Sequence, residues 1–348
     1  MGDSSVPSIS ERKSDHLRIN LDRDVTAKVE NGFDRYRFVH RSLPEIDLLE
    51  VDASLEIFGK RLSAPFLISC MTGGTPEARK INRSLAQVAE ERGIAIGVGS
   101  GRALLEHPEL LDSFDVRPVA PNALLFANLG AVQLNKGYGA AECRCLVGAL
   151  RADALVLHLN PLQEALQPEG DTVFRGLLAR IATICREVEF PVIVKEVGWG
   201  ITAQEVRSLF AGGAAAVDVA GAGGTSWSEV ERHRLGQTWR ANVAATFAQW
   251  GIPTAEALCD ARRVSPTGLI FASGGIRDGI DAAKAMALGA NLVGVAGPFL
   301  RGAAQSTEEA TATALEFEEE LRIVMFLTGS RTLDDLRATK DLRRVDET

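Results

Sequence analysis

Short apolar runs recur along the chain, with helical spacing between them. Eight runs rich in Val, Ile, Leu and Ala stand out: Pro65–Cys70, Ile94–Val98, Ala123–Ala127, Ala154–Leu159, Val192–Lys195, Ala216–Val219, Gly268–Ser273 and Asn291–Ala296. They are continuous rather than alternating, the pattern of strands buried on both faces. Between most of them lies one segment with 3.6-residue apolar periodicity. Asp278–Leu288, DGIDAAKAMAL, is an example and leads through Gly289 into the next run. Strand–helix alternation predicts a parallel sheet. Eight repeats predict a closed (β/α)8 TIM barrel in preference to an open doubly wound sheet.

Three stretches fall outside the repeat. Residues 1–60 form an extension ahead of the first strand. Thr225 to Thr267 is too long for a single helix between strands six and seven. The tail, 306–348, reads as an acidic helix, a turn at Gly329 and a second helix. The expected organisation is one domain over 1–348, with the barrel at 61–305.

The chain holds 33 glycines against only 14 Phe, 4 Trp and 2 Tyr. They cluster where the strands end: Met71-Thr72-Gly73-Gly74-Thr75, Gly97-Val98-Gly99-Ser100-Gly101, Asn128-Leu129-Gly130, Ala220–Thr225 and Ser273-Gly274-Gly275-Ile276-Arg277, with Ala296-Gly297 last. One glycine pair is an ordinary turn. Glycines at successive strand ends instead mark places where a ligand lies against backbone. Loops after strands seven and eight form the recurrent phosphate site of barrels, through free N–H groups and a helix N-terminus. A dinucleotide fingerprint fails, because the third position after Gly97-x-Gly99 is Arg102, and no P-loop motif is present.

Net charge and cysteines narrow the class. The formal charge is −8 and the pI about 5.3, which argues against nucleic acid as a partner. No run of about 18 apolar residues predicts a membrane span. The N-terminus lacks the basic and apolar regions of a secretory signal, and Val6 stands where a myristoylation signal wants Ser or Thr. Five cysteines without metal spacing read as reduced thiols of a cytoplasmic protein.

Candidate chemistry gathers at the strand ends. Lys195 closes strand five, where a cation stabilises a reduced flavin or an enolate; pairing with Glu196 is the plainer alternative. His158 and Asn160 end strand four, with Gln163 and Glu164 following. One carboxylate with amide neighbours beside phosphates suits Mg²⁺, although an acid there also complements a helix N-terminus. Arg12, Lys13, His16 and Arg18 form a basic cluster within Glu11–Arg41, which carries eight Lys/Arg against six Asp/Glu. Such a cluster is either a solvated face or a clamp for a multiply charged anion.

Taken in order, Arg12-Lys13-x-x-His16, Met71-Thr72-Gly73-Gly74, Gly97-x-Gly99-Ser100, His158-x-Asn160-x-x-Gln163-Glu164, Lys195-Glu196-Val197-Gly198, Gly223-Gly224-Thr225 and Gly274-Gly275-Ile276-Arg277 resemble the type 2 isopentenyl-diphosphate isomerases. Arg37–His40 and Leu327-Thr328-Gly329 extend the likeness over about residues 11–340. The resemblance implies interconversion of isopentenyl and dimethylallyl diphosphate by a 1,3-allylic proton shift. It implies reduced FMN as acid and base, NADPH or NADH as reductant, Mg²⁺, and a homotetramer or homo-octamer. It also implies roles. Arg12, Lys13 and His16 would bind the diphosphate, with Gln163, Asn160 and Trp227 on the substrate side and Glu164 on the metal. Cys70, Met71, Thr72, Ser100, Asn128, Lys195 and Thr225 would contact FMN, and Gly275, Ile276, Arg277, Ala296 and Gly297 its phosphate. His158, Gln163 and Glu231 would be the side chains nearest the proton chemistry, Glu231 as a proton reservoir. Cys70 replaces a frequent Ala, and Ala296-Gly297 a more polar pair.

Two other readings are open. An FMN-dependent 2-hydroxy-acid oxidase shares the cradle but needs a His–Arg pair after strand six, where this chain has Ala220–Trp227, AGAGGTSW. A non-catalytic flavin- or phosphate-binding module would not need Gln163, Glu164 and the Arg12-Lys13 pair.

Overall fold

The computed structural model describes residues 9–345. The expectations about an export or acylation signal, and most of residues 1–10, lie outside that range.

Eight parallel strands close into a barrel: β1 Phe66–Ile68, β2 Ala95–Gly97, β3 Leu125–Gly130, β4 Ala154–His158, β5 Val192–Lys195, β6 Ala216–Asp218, β7 Leu269–Ser273 and β8 Leu292–Val295. All eight apolar runs are strands. β3 starts two residues later than the apolar run and ends three later. Asn128 and Gly130 belong to it because they pair with Val156 and His158 of β4, and the Asn128 side chain lines the barrel mouth.

The interior is filled from all sides. Leu67, Ala95, Phe126, Val156, Ile193, Phe271 and Leu292 form the inner cluster. The hairpin Leu55–Ile57/Lys60–Leu62 plugs the floor with Ile57 and Leu62, and Phe58 meets Phe126 edge-on at 6.1 Å. Fully burying side chains of this size contributes roughly 1.5–3 kcal/mol each. The floor is therefore closed, and only the opposite face is free for ligands.

The three irregular stretches cover that face and its flanks. Helix α1, Ile9–Asp22, belongs to the amino-terminal extension. The short helix α2, Pro161–Leu166, follows β4 with proline in its first turn. The insertion after β6 opens with α3, Trp227–Leu235, whose cap Ser226 accepts from Glu229 N–H, and continues through Trp239–Thr246 and Thr254–Val264. After β8 comes α4, Gly297–Gln305. The tail is the expected helix, Thr307–Leu327, turned at Gly329 (φ +67) into Leu333–Ala338. One element escaped the periodicity: Leu342–Arg344 pairs antiparallel with Tyr36–Phe38. Among the described residues no helix is long and apolar enough to cross a membrane.

Candidate active site

The strand ends and α1 enclose a cavity of about 670 Å³. Most of the singled-out residues line it, including Arg12, Lys13, His16, Met71, Thr72, Ser100, Asn128, Thr225 and Trp227. Glu231 does not reach the lining; it lies fully buried behind it.

One end of the cavity is backbone. Gly274 (φ +104) and Gly275 (φ +71) follow β7 in the left-handed region. A Cβ on Gly275 would collide with the Gly223 carbonyl, and one on Gly274 with the Gly221 carbonyl. Only glycine allows these loops to lie this close. Ala296 and Gly297 stand at the N-terminus of α4. The loop is held from outside by the extension. Asn31 Nδ2 donates to the Gly275 carbonyl (2.6 Å) and to Asp281 (3.2 Å).

Arg277 lines the cavity beside these glycines. Its guanidinium is engaged by Asp281 (2.7 Å) and by Asp34 (2.9 Å), so its charge is already matched and it braces the loop. The cationic side chain standing over Gly297 is Arg301, one helical turn further along.

The middle of the cavity is polar and buried. His158 Nδ1 lies 2.8 Å from Asn128 Oδ1. Since that oxygen only accepts, Nδ1 carries the proton and Nε2 is left as an acceptor. Burial, then the Lys195 and Lys13 cations, push His158 down to about 4. It is neutral near pH 7. Lys195 Nζ donates to the Glu196 carbonyl oxygen (2.6 Å) and not to its carboxylate. The Glu196 carboxylate accepts from the N–H groups of Val197, Gly198 and Trp199 and fixes the loop beyond β5.

The other end is made of side chains. Lys13 Nζ donates to the Ser100 carbonyl (2.9 Å) and lies 4.8 Å from the Phe114 ring centre. Burial and then neighbouring Arg12 bring it down to about 7. Arg12 donates to Gln167 (3.3 Å). His16 meets Trp227 edge-on at 5.3 Å and Glu231 at 2.9 Å. Glu231 also accepts from Gln163, Gln167 and Arg234. Burial opposes its charge, but His16 and Arg234 prevail and hold it near 2. A carboxylate held there stores no proton at neutral pH; Glu231 is an ionised anchor for His16. Glu164 accepts from Asn160 Nδ2 (2.9 Å) and the Asp171 N–H (2.6 Å). Asn160 Oδ1 is buried with no partner.

Sequence reasoning missed Gln167, Arg234 and Asn31. Gln167 lies four residues after Gln163 and Arg234 three after Glu231, spacings that put each pair on one helical face. Asn31 carried no local signal.

Both binding groups fit these residues. A phosphate suits the glycine backbone beside α4, and Ser69, whose Oγ is buried with no partner, also lines the cavity. A hard cation suits Glu164 with the orphaned Asn160 oxygen, because Mg²⁺ takes few protein oxygens and keeps its waters. No cluster of three or more His, Cys, Asp or Glu exists among the described residues, so any metal there depends on substrate and water for its remaining ligands.

Comparison with known proteins agrees with this geometry. A family model described as FMN-dependent dehydrogenase matches residues 8–105 and 163–343. An isopentenyl-diphosphate delta-isomerase from Synechococcus sp. is 52% identical over 337 residues, covering 97% of each chain. Another from Nostoc sp. is 48% identical over 335 residues, covering 96% of each, and one from Rickettsia africae is 48% identical over 326 residues, covering 94% of this chain and 95% of that one. Among solved structures, a mandelate oxidase superposes with a TM-score of 0.66 at 17% identity, over 97% of this chain and all of that one. That likeness is one of fold, since the loop after β6 here has neither His nor Arg. An FMN-type barrel, a clamp of basic residues and near-full-length identity of about one half converge on one assignment: the chain belongs to the isopentenyl-diphosphate delta-isomerase family, built on the FMN-dependent dehydrogenase barrel.

Proposed function

We propose that this protein interconverts isopentenyl and dimethylallyl diphosphate by a 1,3-allylic proton shift. It uses FMN reduced by NADPH or NADH, with Mg²⁺ on the diphosphate. The observation that carries this reading is the division of one cavity into a glycine-backbone cradle and an end lined by Arg12, Lys13 and the carboxylate Glu164. A flavin oxidase has no use for the second half.

When bound and reduced, the flavin supplies a proton donor and acceptor beside the alkene. The chain's own residues do the rest. Gly275, Ile276, Ala296 and Gly297 would hold the cofactor phosphate, and Lys195 the negative charge of the reduced ring. Cys70, Met71, Thr72, Ser100, Asn128 and Thr225 would shape its seat. Arg12 and Lys13 would neutralise the diphosphate, and Glu164 with Asn160 would ligate Mg²⁺. An unactivated alkene is a weak base, so protonating it requires a dry, preorganised site. Trp227, lying against His16, would supply the apolar wall, with Gln163 oriented by Glu231. Neutral His158 would accept, not donate, a hydrogen bond at Nε2. We place the enzyme in the cytoplasm as a homotetramer or homo-octamer with no nucleic-acid or membrane partner.

Anaerobic incubation with FMN, NADPH, Mg²⁺ and isopentenyl diphosphate yields the dimethylallyl product, and no product under those conditions overturns the assignment. Glu164→Gln loses its Mg²⁺ dependence together with activity; wild-type turnover in that variant refutes the metal role.

A further inference from the structure

A buried carboxylate beneath the cavity has no part in the chemistry described so far. Asp218 ends β6 and is fully buried. Its Oδ1 accepts from Ser273 Oγ (2.8 Å) and from the Ala220 N–H (3.2 Å). Its Oδ2 has no partner among the described residues. Ser273 and Ser69 line the cavity just above, and a Cβ on Gly294 would lie 2.7 Å from both Ser69 Oγ and Ser273 Cβ. Asp218 is therefore one side chain below the cavity floor.

Its register partner on β5 is Lys195. Paired residues on adjacent strands project to the same side, and Lys195 lines the cavity. The thiol of Cys70, also in the lining, senses both charges: Lys195 favours its ionised form and Asp218 opposes it. The two side chains thus border one patch of the cavity wall.

The turn at Ala220 and the contact with Ser273 require only an oxygen acceptor, which an asparagine supplies. What aspartate adds is the second carboxylate oxygen, unpartnered among the described residues, and with it the capacity for a negative charge that asparagine lacks. We propose that Asp218 is a positioning residue that offsets Lys195 electrostatically and so limits how strongly the site favours reduced over oxidised FMN. The inference rests on the flavin reading above. Without the carboxylate, Lys195 acts unopposed and the added negative charge of reduced flavin is stabilised further.

The test compares the reduction potential of bound FMN in wild type and Asp218→Asn. Wild type is titrated with FMN first; failure to bind sinks the flavin reading itself. Given binding, Asp218→Asn raises the preference for reduced flavin about tenfold, an upward shift of ~30 mV for a two-electron couple. Lys195→Met moves the potential the opposite way. If the asparagine variant does not yield a folded holoenzyme, Asp218→Ser, which keeps a hydroxyl acceptor for Ala220, shows the same upward shift. A folded, FMN-loaded neutral variant with an unmoved or lowered potential overturns the proposal and leaves Asp218 as a turn-former only.

Discussion

The two ends of the cavity are built from different material. At the β7–β8 end, the surface is largely glycine backbone, with Arg277 and Arg301 at its edge, and Asn31, Asp34 and Asp281 brace the loop from outside. At the α1–α3 end, the surface is side chain, joined through His16, Gln163, Gln167 and Arg234 converging on Glu231. Backbone N–H groups cannot rearrange and suit a group that stays. Long side chains can yield and re-form, and suit a charged molecule that enters and leaves each cycle. If this contrast holds, damage at one end leaves the other working.

The sharpest way to break it is Glu231→Ala. Arg234 and His16 lose their common anion, and stability falls by ~3–5 kcal/mol, as for other buried ion pairs left half complete. Thermal unfolding measures this, and turnover drops by more than ~100-fold, about 2.7 kcal/mol in the barrier. FMN affinity stays unchanged. A parallel loss of FMN binding shows the two ends to be one unit.

Asn31→Ala is the reciprocal test. It removes the donors to the Gly275 carbonyl and Asp281, and the acceptor for the Phe33 N–H. Buried bonds of this kind are worth ~1–3 kcal/mol when one partner goes missing. The expected reading is FMN binding weakened by about tenfold, or ~1.4 kcal/mol, with the KM for isopentenyl diphosphate unmoved. An increase in that KM with normal FMN binding contradicts the division.

The smallest effect comes from pH. Burial favours the neutral amine of Lys13, so its charge is lost as pH rises through about 7 in the free protein. Since kcat/KM reports the free enzyme, it declines on the alkaline side of that value. The FMN affinity shows no matching step. In Lys13→Met the alkaline decline disappears along with most of the activity. A wild-type profile flat to pH 9 refutes this use of the lysine.

Much of this was legible in the sequence, for local reasons. A strand buried on both faces must be apolar throughout, so each of the eight runs announced itself. The mouth of the barrel needs glycine where loops touch, and Gly223, Gly274 and Gly275 were conspicuous for it. What stayed hidden depends on chain segments far apart. The bracing of Arg277 by Asp34, 243 residues away, has no local signal. Glu231 looks like a proton store until His16, 215 residues upstream, and Arg234 are seen to fix its charge. Asp218, inside an apolar strand, resembled nothing more than an odd polar core residue. Spacing reveals partners within one helix; it is silent on pairs that only the closed barrel creates.

The antiparallel pair between Tyr36–Phe38 and Leu342–Arg344 has a bearing on synthesis. Arg41 bonds to Asp341, 300 residues later, and the Val39 N–H to the carbonyl of the same residue. The stretch that follows the basic helix is thus secured by chain made 300 residues later. A growing polypeptide can assemble early strands on the ribosome while Tyr36–Phe38 still lacks its partner. The pair forms only after β8 and the tail helices have emerged, so a chain ended before residue 341 would hold all eight barrel strands yet leave Tyr36–Phe38 without its partner strand.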